Sequence, residues 1–254
     1  MLKITFLGTG TSQGIPLIGC HCPVCQSKDK KNNRLRSSVW IRNEDTSIVI
    51  DTGPDFRYQM LRAEVAQVDG ILFTHGHKDH VAGLDDVRAF NYWSHKDMEL
   101  YANEETEKVI RREFHYAFSG DNYPGIPKLN IHPLHGQDIY IGSLIIETIK
   151  VLHYRMEVYG YRIGDFTYIT DANYISPEEK EKIKGSKILV LNALRFEPHI
   201  SHFTFDEAIA LAQEVGAEQT YLTHLSHQAG LHEVISKRLP SNVHIAYDQL
   251  TLQL

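Results

Sequence analysis

Residues 70–80 read GILFTHGHKDH, and no other stretch restricts the fold as much. GILFT has the length and composition of a buried strand. It gives way at once to three histidines and an aspartate, His75, His77, Asp79 and His80, within six positions. Polar side chains at this density are costly inside an apolar core unless they are partnered. The strand must therefore deliver them to a cleft or sheet edge. In extended backbone His75 and His77 point the same way, while Asp79 and His80 turn with the chain toward a second, nearby point. Paired clusters of imidazole and carboxylate suit divalent metals: zinc, but also manganese, iron or nickel.

Three more candidate ligands stand in the same local setting, at the end of an apolar run. His153 follows TIKVL, Asp171 follows TYIT and His224 follows TYLT. Side chains at strand ends have fixed origins, so distant parts of a sequence can converge on one rigid site. The chain carries 15 histidines in 254 residues, the outlier in an otherwise ordinary soluble composition of 42% hydrophobic and 23% charged residues.

A second grouping is GCHCPVC, residues 19–25, which contains all three cysteines: Cys20, Cys22 and Cys25. A closed zinc site takes four ligands, so a histidine, an acid or a water must complete this one; His21, inside the clamp, is one competitor. Clustered, odd-numbered cysteines fit metal binding in a reducing compartment better than disulfides, and a cytoplasmic location is expected. The N-terminus, MLKITFLGTGTS, lacks the apolar core and cleavage site of a signal peptide. No run approaches the ~18 apolar residues of a membrane span. A net charge of −6 argues against a dedicated nucleic-acid binder.

Short β-rich runs recur at 2–8, 47–51, 70–74, 143–151, 166–170, 187–193, 219–223 and 243–247, with hairpin signals at Gly142-Ser143 and Gly164-Asp165. Thr204 and Glu207 form a capping box ahead of a helix whose apolar face is Ala208, Leu211, Ala212 and Val215. Ser176, Pro177 and Glu179 open another helix. Strands mixed with amphipathic helices and hairpins predict an α/β sandwich, read as one domain over residues 1–254. Residues 93–130, rich in helix formers and aromatics, read as an insertion on that framework.

Taken together, FLGTGTSQGIP, IVIDTGPD, FTHGHKDH, His153, Asp171 and LTHLSHQ make nearly the whole chain resemble the metallo-β-lactamase-fold hydrolases. The resemblance implies an αββα sandwich with a two-metal site between the sheets. It implies His75, His77 and His153 on the first metal, Asp79, His80 and His224 on the second, and Asp171 between them. Asp51 would orient a ligating imidazole from behind. The CxCxxC clamp, with a histidine three residues after His224, is similar to the PhnP-type phosphodiesterases. That similarity assigns His227 as the fourth ligand of a structural zinc with Cys20, Cys22 and Cys25. The catalytic pair would be zinc or manganese. HISHFT, residues 199–204, resembles the family's phosphodiesterase HxT motif and makes His202 the candidate for phosphate binding or general-acid work. Asp79 would also accept a hydrogen bond from the attacking water.

The implied activity is hydrolysis of a small cyclic or nucleotide-like phosphodiester. A tRNA-processing endonuclease of RNase Z type shares the HxHxDH and HxT motifs, but no basic, glycine-rich arm for tRNA is evident. A non-hydrolytic carrier resembling PqqB shares the cysteine clamp, whereas here every hydrolytic ligand is present. Acidic residues outnumber basic ones seven to five in 93–130, alongside Trp93, Tyr101, Phe114, Tyr116, Phe118 and Tyr123. The expectation is a lid over a small ligand rather than a polyanion channel.

Overall fold

In a computed structural model, residues 1–120 and 125–254 are described. The strands are Lys3–Gly8 (β1), Ser38–Arg42 (β2), Ser47–Ile50 (β3), Gly70–Leu72 (β4), Met98–Asn103 (β5), Leu129–Leu134 (β6), Ile139–Ile141 (β7) and Leu144–His153 (β8). They continue as Met156–Ile163 (β9), Phe166–Tyr168 (β10), Tyr174–Ile175 (β11), Ile188–Asn192 (β12), Gln219–Thr223 (β13), Val243–Ile245 (β14) and Thr251–Gln253 (β15). One sheet runs β15-β1-β2-β3-β4-β5-β6. The other runs β11-β8-β9-β10-β12-β13-β14, with β7 on β8. The β3–β6 strands are parallel, as are β10, β12, β13 and β14; antiparallel strands complete both sheets.

Strand alternation explains why the two sheets stack. Ile4 and Phe6 of β1, Ile48 and Ile50 of β3, and Ile188 and Val190 of β12 share one core with Tyr159, Tyr161 and Tyr168 of the second sheet. The intervening residues face outward, where helices cover them. Val49 and Ile71 meet Phe56 and Met60 of helix Phe56–Arg62 (α1), Val81 of Lys78–Val81 (α2) and Ile110. On the other side Leu189 and Leu191 meet Ile183 and Leu211. Helix α3 spans Arg88–Ser94, α4 Glu104–Glu113, α5 Pro177–Ile183, α6 Phe205–Glu214 and α7 His232–Ser236. The order helix, sheet, sheet, helix is the expected αββα sandwich. Thr204 and Glu207 form the capping box at the start of α6, and Pro177 opens α5 behind the Ser176 cap. No helix among the described residues is long and apolar enough to cross a membrane.

Residues 93–130 depart from expectation. They hold β5, which lies between β4 and β6 in the first sheet, and α4, which packs against β5 and β6. The segment is framework, not an insertion. Its aromatics follow suit: Phe114 is buried, and Tyr101, Tyr116 and Phe118 are half-buried against the cores. Trp93 is exposed at the end of α3. Asp121 and Tyr123 lie outside the described residues.

The chain ends meet at the edge of this sheet, where β15 pairs antiparallel with β1 and Leu2 N–H donates to Leu254 O at 2.8 Å. Leu100, at the centre of β5, is fully buried. Leu100→Ala should therefore cost about 2–5 kcal/mol in denaturant unfolding, while Trp93→Ala should stay within about 0.5 kcal/mol. A lid-like insertion would give small changes at both.

Candidate metal centre

The cleft residues sit where strands end. Asp51 follows β3, His75 comes three residues after β4, and His153 closes β8. Asp171 lies three residues after β10, and His224 follows β13 directly. Asp51, Asp171 and His224 have φ of 65°, 53° and 57°, a left-handed conformation that non-glycine residues rarely adopt. Each bends sharply off its strand, and the bend turns a polar side chain inward. A threonine precedes the ligand at three of these ends: Thr74, Thr170 and Thr223, all fully buried. Gly53 lets the Asp51 loop lie directly on α2, since a Cβ there would stand 2.2 Å from Asp79 O. Thr52 N–H then donates to His80 O at 2.7 Å.

The side chains gather in two adjacent groups, as expected. His75, His77 and His153 form one; Asp79, His80, Asp171 and His224 form the other, with donor atoms within 4.8 Å of one another in each. Asp171 also groups with His153 and His202, so it touches both neighbourhoods. Its carboxylate stands 3.3 Å from His80 Nε2 and 3.2 Å from His224 Nε2. His75 Nε2 lies 2.9 Å from His77 Nδ1. His77 is exposed and opens the centre to solvent.

Four imidazoles are held from behind through Nδ1. Asp51 accepts from His80 at 2.7 Å, and the Ser201 carbonyl accepts from His153 at 2.8 Å. Thr74 Oγ1 lies 3.0 Å from His75 Nδ1 and donates to Asp51 at 2.8 Å. Ser37 Oγ lies 3.1 Å from His224 Nδ1. All four Nε2 atoms therefore face the cleft, which is the arrangement metal ligands require. Asp51 lies behind His80, where the resemblance puts it; Thr74, Ser37 and Ser201 carried no such expectation.

Divalent cations fit this donor set. His80 Nε2 is buried without a hydrogen-bond partner, yet aimed between the carboxylates of Asp79, 3.2 Å away, and Asp171. Burial pushes His75 and His224 down, toward the neutral form that binds metal. Burial acts on His80 too, but Asp79, Asp51 and Asp171 outweigh it and pull its pKa well up. The cluster's negative charge thus converges on His80, where a cation is best compensated.

Beside this centre, His202 stacks on the His224 ring at 5.0 Å and lies tilted against the His153 ring at 4.6 Å. Its Nδ1 is buried without a hydrogen-bond partner, 3.9 Å from Asp171. Burial, with the neighbouring imidazoles of His224, His153 and His199, pushes it down to about 3 against the pull of Asp171. The ring is neutral.

The cysteines gather around His227. Its Nδ1 lies 3.3, 3.4 and 3.7 Å from the sulfurs of Cys20, Cys22 and Cys25. Tetrahedral zinc with ordinary bond lengths spaces sulfur and nitrogen by about 3.5 Å, so a closed four-ligand ion fits. A hydrogen bond from Cys25 N–H, with help from His227, brings Cys22 down to about 6 against burial, which favours the metal-binding thiolate. His21 is exposed and contacts Gln26 instead.

A two-sheet sandwich whose strand ends present paired His and Asp groups defines the metallo-β-lactamase fold. A family model for the β-lactamase superfamily domain matches residues 46–225, and the chain belongs to that family. Within it the chain is PhnP-like. The crystal structure of a new diphosphatase from the PhnP family superposes with a TM-score of 0.94 at 38% identity, covering 100% of this chain and 98% of that one. An octanoyltransferase from Porphyromonas gingivalis is 38% identical over 252 residues, which is 98% of this chain and 51% of that protein. A ribonuclease Z from Crocosphaera subtropica is 27% identical over 172 residues, 65% of this chain and 48% of its own length. The chain thus spans about half the length of these two curated relatives.

Elemental analysis of fully loaded protein should find about three metals per chain, two in the cleft and one in the clamp. Cys22→Ser should remove one of them and lower the thermal midpoint by roughly 5 °C or more, equivalent to about 2 kcal/mol for a chain of this size. His77→Ala, at an exposed position, should deplete the cleft while leaving the midpoint of the metal-free protein nearly unchanged.

Proposed function

We propose that the chain is a binuclear metal-dependent phosphodiesterase acting on a small phosphodiester, cyclic or nucleotide-like, including one with a diphosphate linkage. One observation carries the reading: the Asp171 carboxylate lies between two ligand groups, with the unpartnered nitrogen of His202 beside it. Divalent cations bound there supply charge for phosphoryl oxygens and lower the pKa of water to near 7. His75, His77 and His153 would hold one, and Asp79, His80 and His224 the other, with the Asp171 carboxylate within reach of both groups.

The remaining roles fall to side chains of this chain. Asp79 has a second oxygen free to accept a hydrogen bond from the attacking water and so orient it. His202, being neutral, would donate a hydrogen bond to a phosphoryl oxygen, and solvent reaching the centre at the exposed His77 would supply the proton that the leaving oxygen takes up. Asp51, Thr74 and the Ser201 carbonyl keep three ligand rings from rotating, so the centre is organised before substrate arrives. Similarity to the PhnP-family diphosphatase supports phosphoester chemistry. The octanoyltransferase name belongs to a protein of which this chain matches 51%, so it does not place acyl transfer in the matched part. RNA cleavage is disfavoured by the net charge of −6, since a polynucleotide track needs Lys and Arg along its length. A non-hydrolytic carrier role is disfavoured by the completeness of both ligand groups.

Side-by-side kcat/KM for bis(p-nitrophenyl) phosphate, a cyclic ribose phosphodiester, a nucleoside diphosphate diester, a precursor tRNA, a β-lactam and a thioester decides among these. The small phosphoesters should be turned over best. Efficient tRNA cleavage with a steep salt dependence would instead promote the ribonuclease reading, and preferred thioester turnover would overturn phosphoester chemistry altogether. His202→Ala should lower kcat about 10²–10³-fold, the usual cost of removing one donor to a charged oxygen, with the metal content intact.

A further inference from the structure

Of the four imidazoles tied through Nδ1, His224 has an anchor drawn from the other end of the sequence. Ser37 immediately precedes β2 and is 1% exposed. Its Oγ donates to the Gly10 carbonyl at 3.0 Å. A carbonyl oxygen can only accept, so the hydroxyl hydrogen is committed to Gly10. With that hydrogen on Gly10, the lone pairs of Oγ face His224 Nδ1, 3.1 Å away, an arrangement that favours the ring's proton on that nitrogen. On the other side of the ring Thr11 Oγ1 lies 3.1 Å from Nε2, and as a hydroxyl it can donate to an unprotonated nitrogen. The Asp171 carboxylate also stands 3.2 Å from Nε2, so Ser37 is the partner at Nδ1 while Thr11 and Asp171 face Nε2.

The seat itself is rigid. Gly10 bridges to Arg36 on one side and Leu225 on the other, and Leu225 N–H donates to Thr9 O at 3.0 Å. Ser37 N–H also donates to Gly10 O, at 3.0 Å. Three chain segments thus meet at the point where His224 leaves β13 in a left-handed turn. Asp51 serves His80 directly and His75 through Thr74, but nothing of that relay reaches His224.

We infer that Ser37 is a positioning residue for the metal centre: its hydroxyl fixes the Nδ1–H tautomer and the orientation of His224, leaving Nε2 free for the cation shared with Asp79, His80 and Asp171. The inference rests on the reading that this cleft holds metal. Outer contacts of this kind are worth about 10–100-fold in metal affinity.

The test is zinc content after equilibration of wild-type, Ser37→Ala and Ser37→Thr protein against a graded chelator series. Alongside it, long-range proton–nitrogen NMR of the metal-free wild type reads the His224 tautomer. Ser37→Ala should release one cleft zinc at about 10–100-fold lower chelator concentration, with the clamp zinc and the thermal midpoint of the metal-free protein unchanged. Ser37→Thr, which keeps an Oγ, should restore most of the affinity. The NMR measurement needs no variant and should show Nδ1 protonated. Wild-type affinity in Ser37→Ala, equal losses in both variants, or a proton on Nε2 would overturn the assignment alone. A wild-type chain that takes up zinc only at the clamp would overturn both it and the proposed function.

Discussion

Three strands end in a backbone conformation that their own residues resist, and the cleft depends on it. A left-handed turn at a non-glycine residue costs of order 1–3 kcal/mol, and Asp51, Asp171 and His224 each adopt one. Two sheets sharing a close-packed core fix the strand origins, so the chain cannot relax these turns by sliding. The loops beyond the strands are locked to one another by backbone contacts, such as Thr52 with His80 and Leu225 with Thr9. The strain is held in place by the parts of the fold that carry no chemistry.

Those turns also explain why carboxylates can stand so close together. Asp51, Asp79 and Asp171 surround a single imidazole, His80, in a buried setting. Such an assembly is stable only when positive charge sits at its centre, a proton in the free chain or a cation in the loaded one. The thiolate clamp makes a comparable demand close by in sequence, because His227 lies three residues beyond His224. One short segment therefore serves both centres.

Much of this was legible in the sequence, for physical reasons that differ by residue. HGHKDH stands out because so many polar groups follow so apolar a run, whereas Asp51 was singled out only by the resemblance of IVIDTG to the family's pattern. The capping box at Thr204 and Glu207 is a local signal and survived intact. The strand β5 was missed because MELYAN alternates Glu99 and Tyr101 with apolar residues among strong helix formers, and only the partners β4 and β6 reveal it. The strand β9 was hidden by Gly160, which reads as a breaker; its missing Cβ lets Ile169 approach, where a side-chain atom would stand 2.7 Å away. Ser37, Thr74 and the Ser201 carbonyl carried no signal, since hydroxyls and carbonyls are everywhere and only distance selects them. In retrospect, the threonine before His75, Asp171 and His224 was a readable repeat.

The pairing of β1 with β15 sets the two chain termini side by side, and β1 then runs from that edge toward Gly10 and the cleft. The hairpin tips at Gly142-Ser143 and Gly164-Asp165 share the terminal end of the sandwich with Met1 and Leu254. Material joined at either terminus emerges at the pole opposite the chemistry. Because Leu2 and Leu254 are hydrogen-bonded neighbours, a circular permutation through them would rejoin adjacent backbone and leave every strand-end side chain of the cleft on its original strand.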